Sequence, residues 1–186
     1  MVVILRPNQP EVDALAHSKA RPHPHPLFFS NLYATLYTMQ FKGATAADLK
    51  PWVDMRYALW GGNPDQLESE ALGILSSATD HCCLAITDSG QYVGFIEVSV
   101  RHTQSHTYGY IEGWYVDQAH RQQGTGSALI DQAEQWLLHY SVEAIFSDTD
   151  KANYHDSLPA HAHSGYLPIR YFTLLMKKSS DQGGSD

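Results

Sequence analysis

The stretch from Tyr110 to Leu137, YIEGWYVDQAHRQQGTGSALIDQAEQWL, constrains this chain more than any other. A strand-like run ends at Val116, and a short loop carries Arg121-Gln122-Gln123-Gly124-Thr125-Gly126. A helical pattern then runs from Gly126 to about Tyr140, with Ala128, Leu129, Ala133, Trp136 and Leu137 on its apolar side. Glycines at 124 and 126 let the backbone come close to a ligand. The free N–H groups of the first helical turn point at that ligand with the positive end of the helix dipole. Together these make an anion cradle suited to phosphate. Two other phosphate loops use similar glycines, and neither fits. The dinucleotide fingerprint GxGxxG needs a third glycine where Leu129 stands, and the Walker loop needs a Gly-Lys-Ser/Thr that is absent.

The elements around this loop predict a mixed α/β domain. Thr45 is placed to cap a helix with apolar Leu49, Trp52, Val53, Leu59 and Trp60. Gly61 to Asp65 is turn chemistry, and Gln66 to Ser77 resumes a helical pattern. Cys82–Thr87 and Tyr92–Arg101 read as strands joined by the hairpin-like Asp88-Ser89-Gly90, and Thr107–Val116 is a third strand. After the long helix come a short strand at Ile145–Asp148, a short helix, and two strand-like pieces between Tyr166 and Lys178. The expected architecture is one central sheet with flanking helices.

Residues 1–38 read differently from the rest. Pro22, Pro24 and Pro26 alternate with His23 and His25, and an apolar stretch without clear periodicity follows. Met39 is expected to be the natural start, with residues 1–38 an N-terminal extension, 39–178 the domain and 179–186 a flexible tail.

The chain has 186 residues and 43% hydrophobic residues, enough for one domain with a core that needs no disulfide or metal. Adjacent Cys82 and Cys83 suit neither a spaced disulfide framework nor a metal-ligand pattern. Eleven histidines occur without an HExxH or Cys-rich context, so no metal is expected. No run approaches the ~18 apolar residues of a membrane span, and a cytoplasmic location is expected. Twelve Lys and Arg against twenty Asp and Glu give −8, which argues against a nucleic-acid partner and tilts towards a cationic ligand.

The Arg121-x-x-Gly124-x-Gly126 loop, with its strand before and helix after, resembles motif A of the GNAT superfamily of acyl-CoA-dependent N-acyltransferases. The resemblance covers nearly the whole core and narrows to the aminoglycoside 6′-N-acetyltransferases. Its fragments are Leu49, Trp52, Met55-Arg56 and Leu59-Trp60; Gly94 to Arg101 with Glu97; Glu112 to Val116; Ser147-Asp148; and Ser157, His161 and Gly165-Tyr166. It implies a GNAT fold whose sheet splays to admit acetyl-CoA, and a homodimer. Function would be acetyl transfer by direct attack of an aminoglycoside 6′-amine, conferring resistance. Alternatives are another amine acceptor (a polyamine, a metabolite or a protein N-terminus) or a non-catalytic acyl-CoA-binding module.

The same resemblance assigns roles. Pyrophosphate would rest on Arg121, Gln122, Gln123, Gly124, Thr125, Gly126 and Ser127. Pantetheine would pair with Tyr115 and Val116, and Asn153 would be a further cofactor contact. An ammonium acceptor must lose a proton before it attacks, and carboxylates both attract the cation and take the proton. Glu112 is the expected proton acceptor, with Asp148 as substrate binder or second base. Glu97 either lines the cationic pocket or pairs with Arg101. Trp60 either meets the acceptor sugar or packs in the core, and the same alternatives hold for Tyr110 and Trp114. Many GNAT enzymes place a Tyr four residues before the Gly-aromatic pair as acid for the leaving thiolate. Here His161 occupies that position, as acid, pantetheine contact or packing residue.

Overall fold

A computed structural model describes residues 2–7, 39–149 and 154–171. The strands are β1 (Val2–Pro7), β2 (Met39–Gly43), β3 (Asp80–Thr87), β4 (Tyr92–His102), β5 (Thr107–Val116), β6 (Ala144–Thr149) and β7 (Leu167–Tyr171). The α-helices are α1 (Leu49–Trp60), α2 (Pro64–Ser76), α3 (Thr125–Leu138) and α4 (Tyr154–His163). The seven strands among the described residues form one sheet in the order β2-β3-β4-β5-β6-β1-β7.

Local chemistry explains the helix starts. Thr45 and Asp48 lock a 3₁₀ turn, Ala46–Asp48, ahead of α1: the Thr45 N–H donates to Asp48 Oδ2 at 2.9 Å and its hydroxyl donates to the same oxygen at 2.6 Å. At α2 the Asn63 side chain accepts from the Asp65 N–H at 3.0 Å, and Pro64 sits in the first turn, where its missing N–H costs nothing.

Two cores lie on opposite sides of the sheet. One packs α3, through Leu129, Ile130, Ala133 and Leu137, against Ile96, Val98, Val100 and Ile111. The other packs α1 and α2, through Trp52, Val53, Met55, Leu67 and Ala71, against Leu84, Ile86 and Phe95. Alternation along β4 sends Ile96, Val98 and Val100 to the α3 side, which leaves Glu97, Ser99 and Arg101 facing the α1 side. Cys82 and Cys83 are free thiols, one in each core.

Two irregularities position the site. In the β4–β5 pair the register steps from Glu97↔Gly113 to Val98↔Ile111, so Glu112 is the extra residue of a β-bulge. The parallel β5–β6 pair covers Gly109↔Ile145 to Ile111↔Ser147 and goes no further, although β5 continues to Val116. The edge of β5 from Glu112 to Val116 therefore opens away from β6, the splay expected of this fold.

β1, inside the segment expected to stand outside the domain, runs antiparallel between β6 and β7, with Val3↔Asp148 and Ile4↔Ser147 on one side. Residues 8–38 and the tail from 172 onwards, including the second strand-like piece expected there, lie outside the described residues.

Candidate active site

The loop after β5 has the backbone that a cradle needs. Gly124, the α3 N-cap residue, is left-handed at φ 86°, and Gln122 sits at φ 59°. Arg121 Nε donates to the Val116 carbonyl at 2.9 Å, and Gln123 Nε2 donates to the Ala119 carbonyl at 2.9 Å, which ties the loop to the strand end. The N–H groups of Thr125, Gly126 and Ser127 are in the first turn of α3, where no intrahelical acceptor exists. A Cβ on Gly126 would lie 2.9 Å from the Trp114 ring, so the small residue lets α3 rest on that indole. Trp114 Nε1 is buried beside this contact with no hydrogen-bond partner among the described residues, a spare donor at the splayed end of β5. Together the open strand edge, the spare indole donor and the loop fit an extended ligand that ends in phosphates.

On the α1 side, Glu112 is held by its neighbours. The Ser99 hydroxyl donates to Glu112 Oε1, and Arg101 Nη2 reaches the same oxygen at 2.5 Å. The Arg101 guanidinium stacks over Tyr110, 3.7 Å from the ring centroid. The Tyr110 hydroxyl faces Asp148 on β6, and burial with that neighbouring negative charge pushes the phenol up to about 12. Half-burial raises the Asp148 carboxyl above its ordinary value, with Tyr110 and Arg101 opposing and Glu112 adding to the rise. Thus Tyr110, Glu112 and Asp148, three of the expected residues, converge where the β5–β6 pairing ends, with Tyr110 inside the paired stretch and Glu112 just beyond it.

Glu97 lies beneath them at 2% exposure. It accepts from Trp52 Nε1 at 2.8 Å, and Arg56 Nη1 stands 3.5 Å away. Burial pushes its carboxyl up to about 7 against the pull of Arg56. Arg101, the alternative partner in the sequence reading, binds Glu112 instead, because strand alternation stacks Ser99 and Arg101 beside the bulge while α1 brings Arg56 over Glu97. Arg56 also pairs with Glu70 of α2 at 2.9 Å and lies 5.0 Å from the Trp60 ring centroid. Trp60, 44% exposed, tilts against Phe95 and covers Gly113, the residue next to the bulge.

The remaining expected residues distribute around this centre. Tyr115 stacks on Phe95 on the α1 side, whereas Trp114 and Val116 pack towards α3. Tyr110 and Trp114 therefore occupy opposite faces, because the bulge shifts the alternation between them. His161 of α4 is buried, edge-on to Trp114 at 5.1 Å. Its Nδ1 bonds the Ser157 carbonyl at 2.8 Å, which makes Nδ1 the protonated nitrogen, and Nε2 accepts from the Ser147 hydroxyl at 2.9 Å. Burial lowers its basicity, so the ring is neutral. Asn153 lies outside the described residues. Among the described residues no cluster of three or more His, Cys, Asp or Glu could hold a metal, and no helix is long and apolar enough to cross a membrane.

Arg101 and Ser99 were not singled out as site residues from sequence. The signal was present in Glu97-x-Ser99-x-Arg101, a period-two polar line on an otherwise apolar strand.

Comparison with known proteins follows the same lines. Residues 48–166 match the family model described as "Acetyltransferase (GNAT) family". An aminoglycoside N(6′)-acetyltransferase type 1 of Serratia marcescens is 33% identical over 136 residues, 70% of this chain and 92% of the relative. One of Stenotrophomonas maltophilia is 35% identical over 111 residues, 57% of this chain and 72% of the relative. The solved aminoglycoside 6′-N-acetyltransferase of Acinetobacter haemolyticus superposes with TM-score 0.69 at 29% identity, covering 76% of this chain and 99% of that one. An AAC(6′)-Iy structure holding a bisubstrate analogue, CoA-S-monomethyl-acetylneamine, gives TM-score 0.69 at 25% identity with the same coverage.

Proposed function

Because the chain belongs to the GNAT acetyltransferase family, we propose that it transfers the acetyl group of acetyl-CoA to the 6′-amine of an aminoglycoside, conferring resistance. The observation that carries this reading is the convergence of Glu112, Tyr110 and Asp148 at the point where β5, the strand that leads into the phosphate loop, parts from β6. The names of the relatives supply the acceptor class.

Acetyl-CoA is the co-substrate. Its pyrophosphate rests on the backbone N–H groups of residues 122–127 with Arg121 and Ser127 at the margins, and its pantetheine pairs along Tyr115 and Val116. Trp114 Nε1 is a donor available to that arm. Once its ammonium proton has been removed, the amine nitrogen attacks the thioester carbonyl and forms the C–N bond. A backbone N–H near Tyr115 or Val116 stabilises the tetrahedral oxyanion, and collapse of that species breaks the C–S bond while the nitrogen sheds its second proton to solvent. The ammonium proton goes to a carboxylate. Glu112 was the expectation; we assign the proton to Asp148 instead, because burial favours proton uptake there while Glu112 Oε1 is occupied by hydrogen bonds from Ser99 and Arg101. Glu112 then attracts and orients the cation. Trp60 packs against the sugar, and Glu97 acts from beneath by fixing Trp52 and Arg56. His161 orients Ser147 and Trp114, and the thiolate takes its proton from solvent. Acetylation removes one positive charge and its hydrogen bonds from the antibiotic.

The protein works in the cytoplasm as a homodimer, without nucleic acid, which its charge of −8 disfavours; sedimentation tests the dimer. Thiol release from acetyl-CoA with two matched aminoglycosides, one with an amine and one with a hydroxyl at the 6′ position, tests the reaction. Turnover with the amine alone is expected, and turnover with neither overturns the proposal.

A further inference from the structure

A protein that binds an ammonium ion surrounds it with a carboxylate, a hydroxyl and an aromatic face. All three stand together here: Glu112 Oε1, the Ser99 hydroxyl and the ring of Tyr110. They are already engaged, and the cation they engage belongs to the chain itself. Arg101 places Nη2 2.5 Å from Glu112 Oε1, Nε 3.3 Å from Ser99 Oγ, and its guanidinium carbon 3.7 Å from the Tyr110 centroid.

We infer that the Arg101 guanidinium occupies the seat of an acceptor ammonium group and is displaced by the incoming polycation, which makes Arg101 a specificity-determining residue. The inference rests on the reading of this cleft as an amine-acceptor site. Arg101 is suited to leaving. Its side chain is 41% exposed, and it lies one residue from the end of β4, so it can swing into solvent without disturbing the strand. Ion pairs this exposed are weakly held. Arg56 is the contrasting case: at 5% exposure, held between Glu70 and Glu97, it is fixed.

The consequence is selection by charge number. A monoamine that enters must replace Arg101 at Glu112 one cation for one, and gains little. An acceptor with several ammonium groups replaces it and also engages Asp148, whose carboxyl shares the field of both Arg101 and Glu112. The internal cation thus raises the threshold for simple amines and leaves polycations favoured.

The test is calorimetric titration of a 6′-amino aminoglycoside into wild type, Arg101→Gln and Arg101→Lys, without acetyl-CoA. Arg101→Gln is expected to bind about fivefold more tightly, since the seat is vacated, while Arg101→Lys, which keeps the cation, stays near wild type. The preference for a polycation over ethylamine in the acetylation assay is expected to narrow in the Gln variant through a lower KM for the monoamine. Arg101→Met, which keeps the aliphatic stem against Tyr110, is read in the same way and guards against loss of folding. Equal or weaker binding by the Gln and Met variants overturns the inference, because Arg101 would then be positioning Glu112 rather than competing with the substrate. If neither wild type nor variant binds or acetylates the antibiotic, the proposed substrate fails. Titration with spermine then decides Arg101 separately: tighter binding by the variants supports displacement, and no gain overturns it.

Discussion

The ring of Trp60 lies where a side chain at Gly113 would have to stand: a Cβ built there falls 2.5 Å from the indole carbons. Helix α1 is thereby seated on the strand directly beside the Glu112 bulge. Gly113→Ala is expected to destabilise the fold by about 1–3 kcal/mol through overpacking. It should also raise KM for the acceptor while leaving the Kd of acetyl-CoA unchanged, because the phosphate loop lies beyond the contact. Thermal unfolding and paired KM and Kd measurements check both halves.

Asp148→Asn is expected to lower kcat by about 10²–10³-fold, within the range for loss of a general base. Glu112→Gln should act mainly on acceptor KM. Because burial raises the Asp148 carboxyl, the active, deprotonated form is lost as pH falls through that raised value. The wild-type acid limb should therefore sit above the ordinary aspartate range and disappear in Asp148→Asn. Equal kcat losses in both variants would instead leave the proton with Glu112.

Glu97 predicts a pH dependence of stability. Burial raises its carboxyl in the folded protein to about 7 from an ordinary 4.5, so the folded state holds this proton more tightly than the unfolded chain does. The resulting stability is fully present below about pH 4.5 and is lost as pH rises towards 7. Across that window the stability difference between wild type and Glu97→Gln should move by roughly 3 kcal/mol in favour of the variant. Urea unfolding at pH 4.5 and 7.5 measures it.

His161→Gln tests the departure from the usual tyrosine. With Nδ1 on Ser157 and Nε2 on Ser147, the variant is expected to lose about 1–3 kcal/mol of stability and to keep kcat within about tenfold of wild type. A hundredfold fall in kcat with a changed basic limb would make His161 the acid for the leaving thiolate.

Removal of residues 1–38 takes β1 from between β6 and β7 and leaves facing strand edges unpaired. A fall of about 5–10 °C in Tm is expected, with acetyl-CoA binding retained, because the cradle is built from β5 and α3. A truncated protein as stable as the full chain would show that β1 adds nothing to the fold.

Much of this molecule was legible along the chain because its signals are local. A glycine able to adopt φ 86° at position 124, a strand before it and a 3.6-residue apolar period after it specify the phosphate loop within some thirty residues. Helices α1 and α2 were legible through their apolar spacing, and α1 also through Thr45, which starts the 3₁₀ turn that leads into it; the Asn63 cap of α2 read only as part of a turn. The pairing of charges was not. That Glu97 meets Arg56 while Arg101 meets Glu112 depends on which strand lies beside which, on a one-residue bulge in β5, and on the helix laid over it. Likewise β1 joins residues 2–7 to β6 and β7, more than a hundred positions later in the chain. Sequence by itself determined the elements and the cradle; the tertiary structure decided the acceptor site, because strand register and packing bring distant charges together and no local preference encodes which will meet.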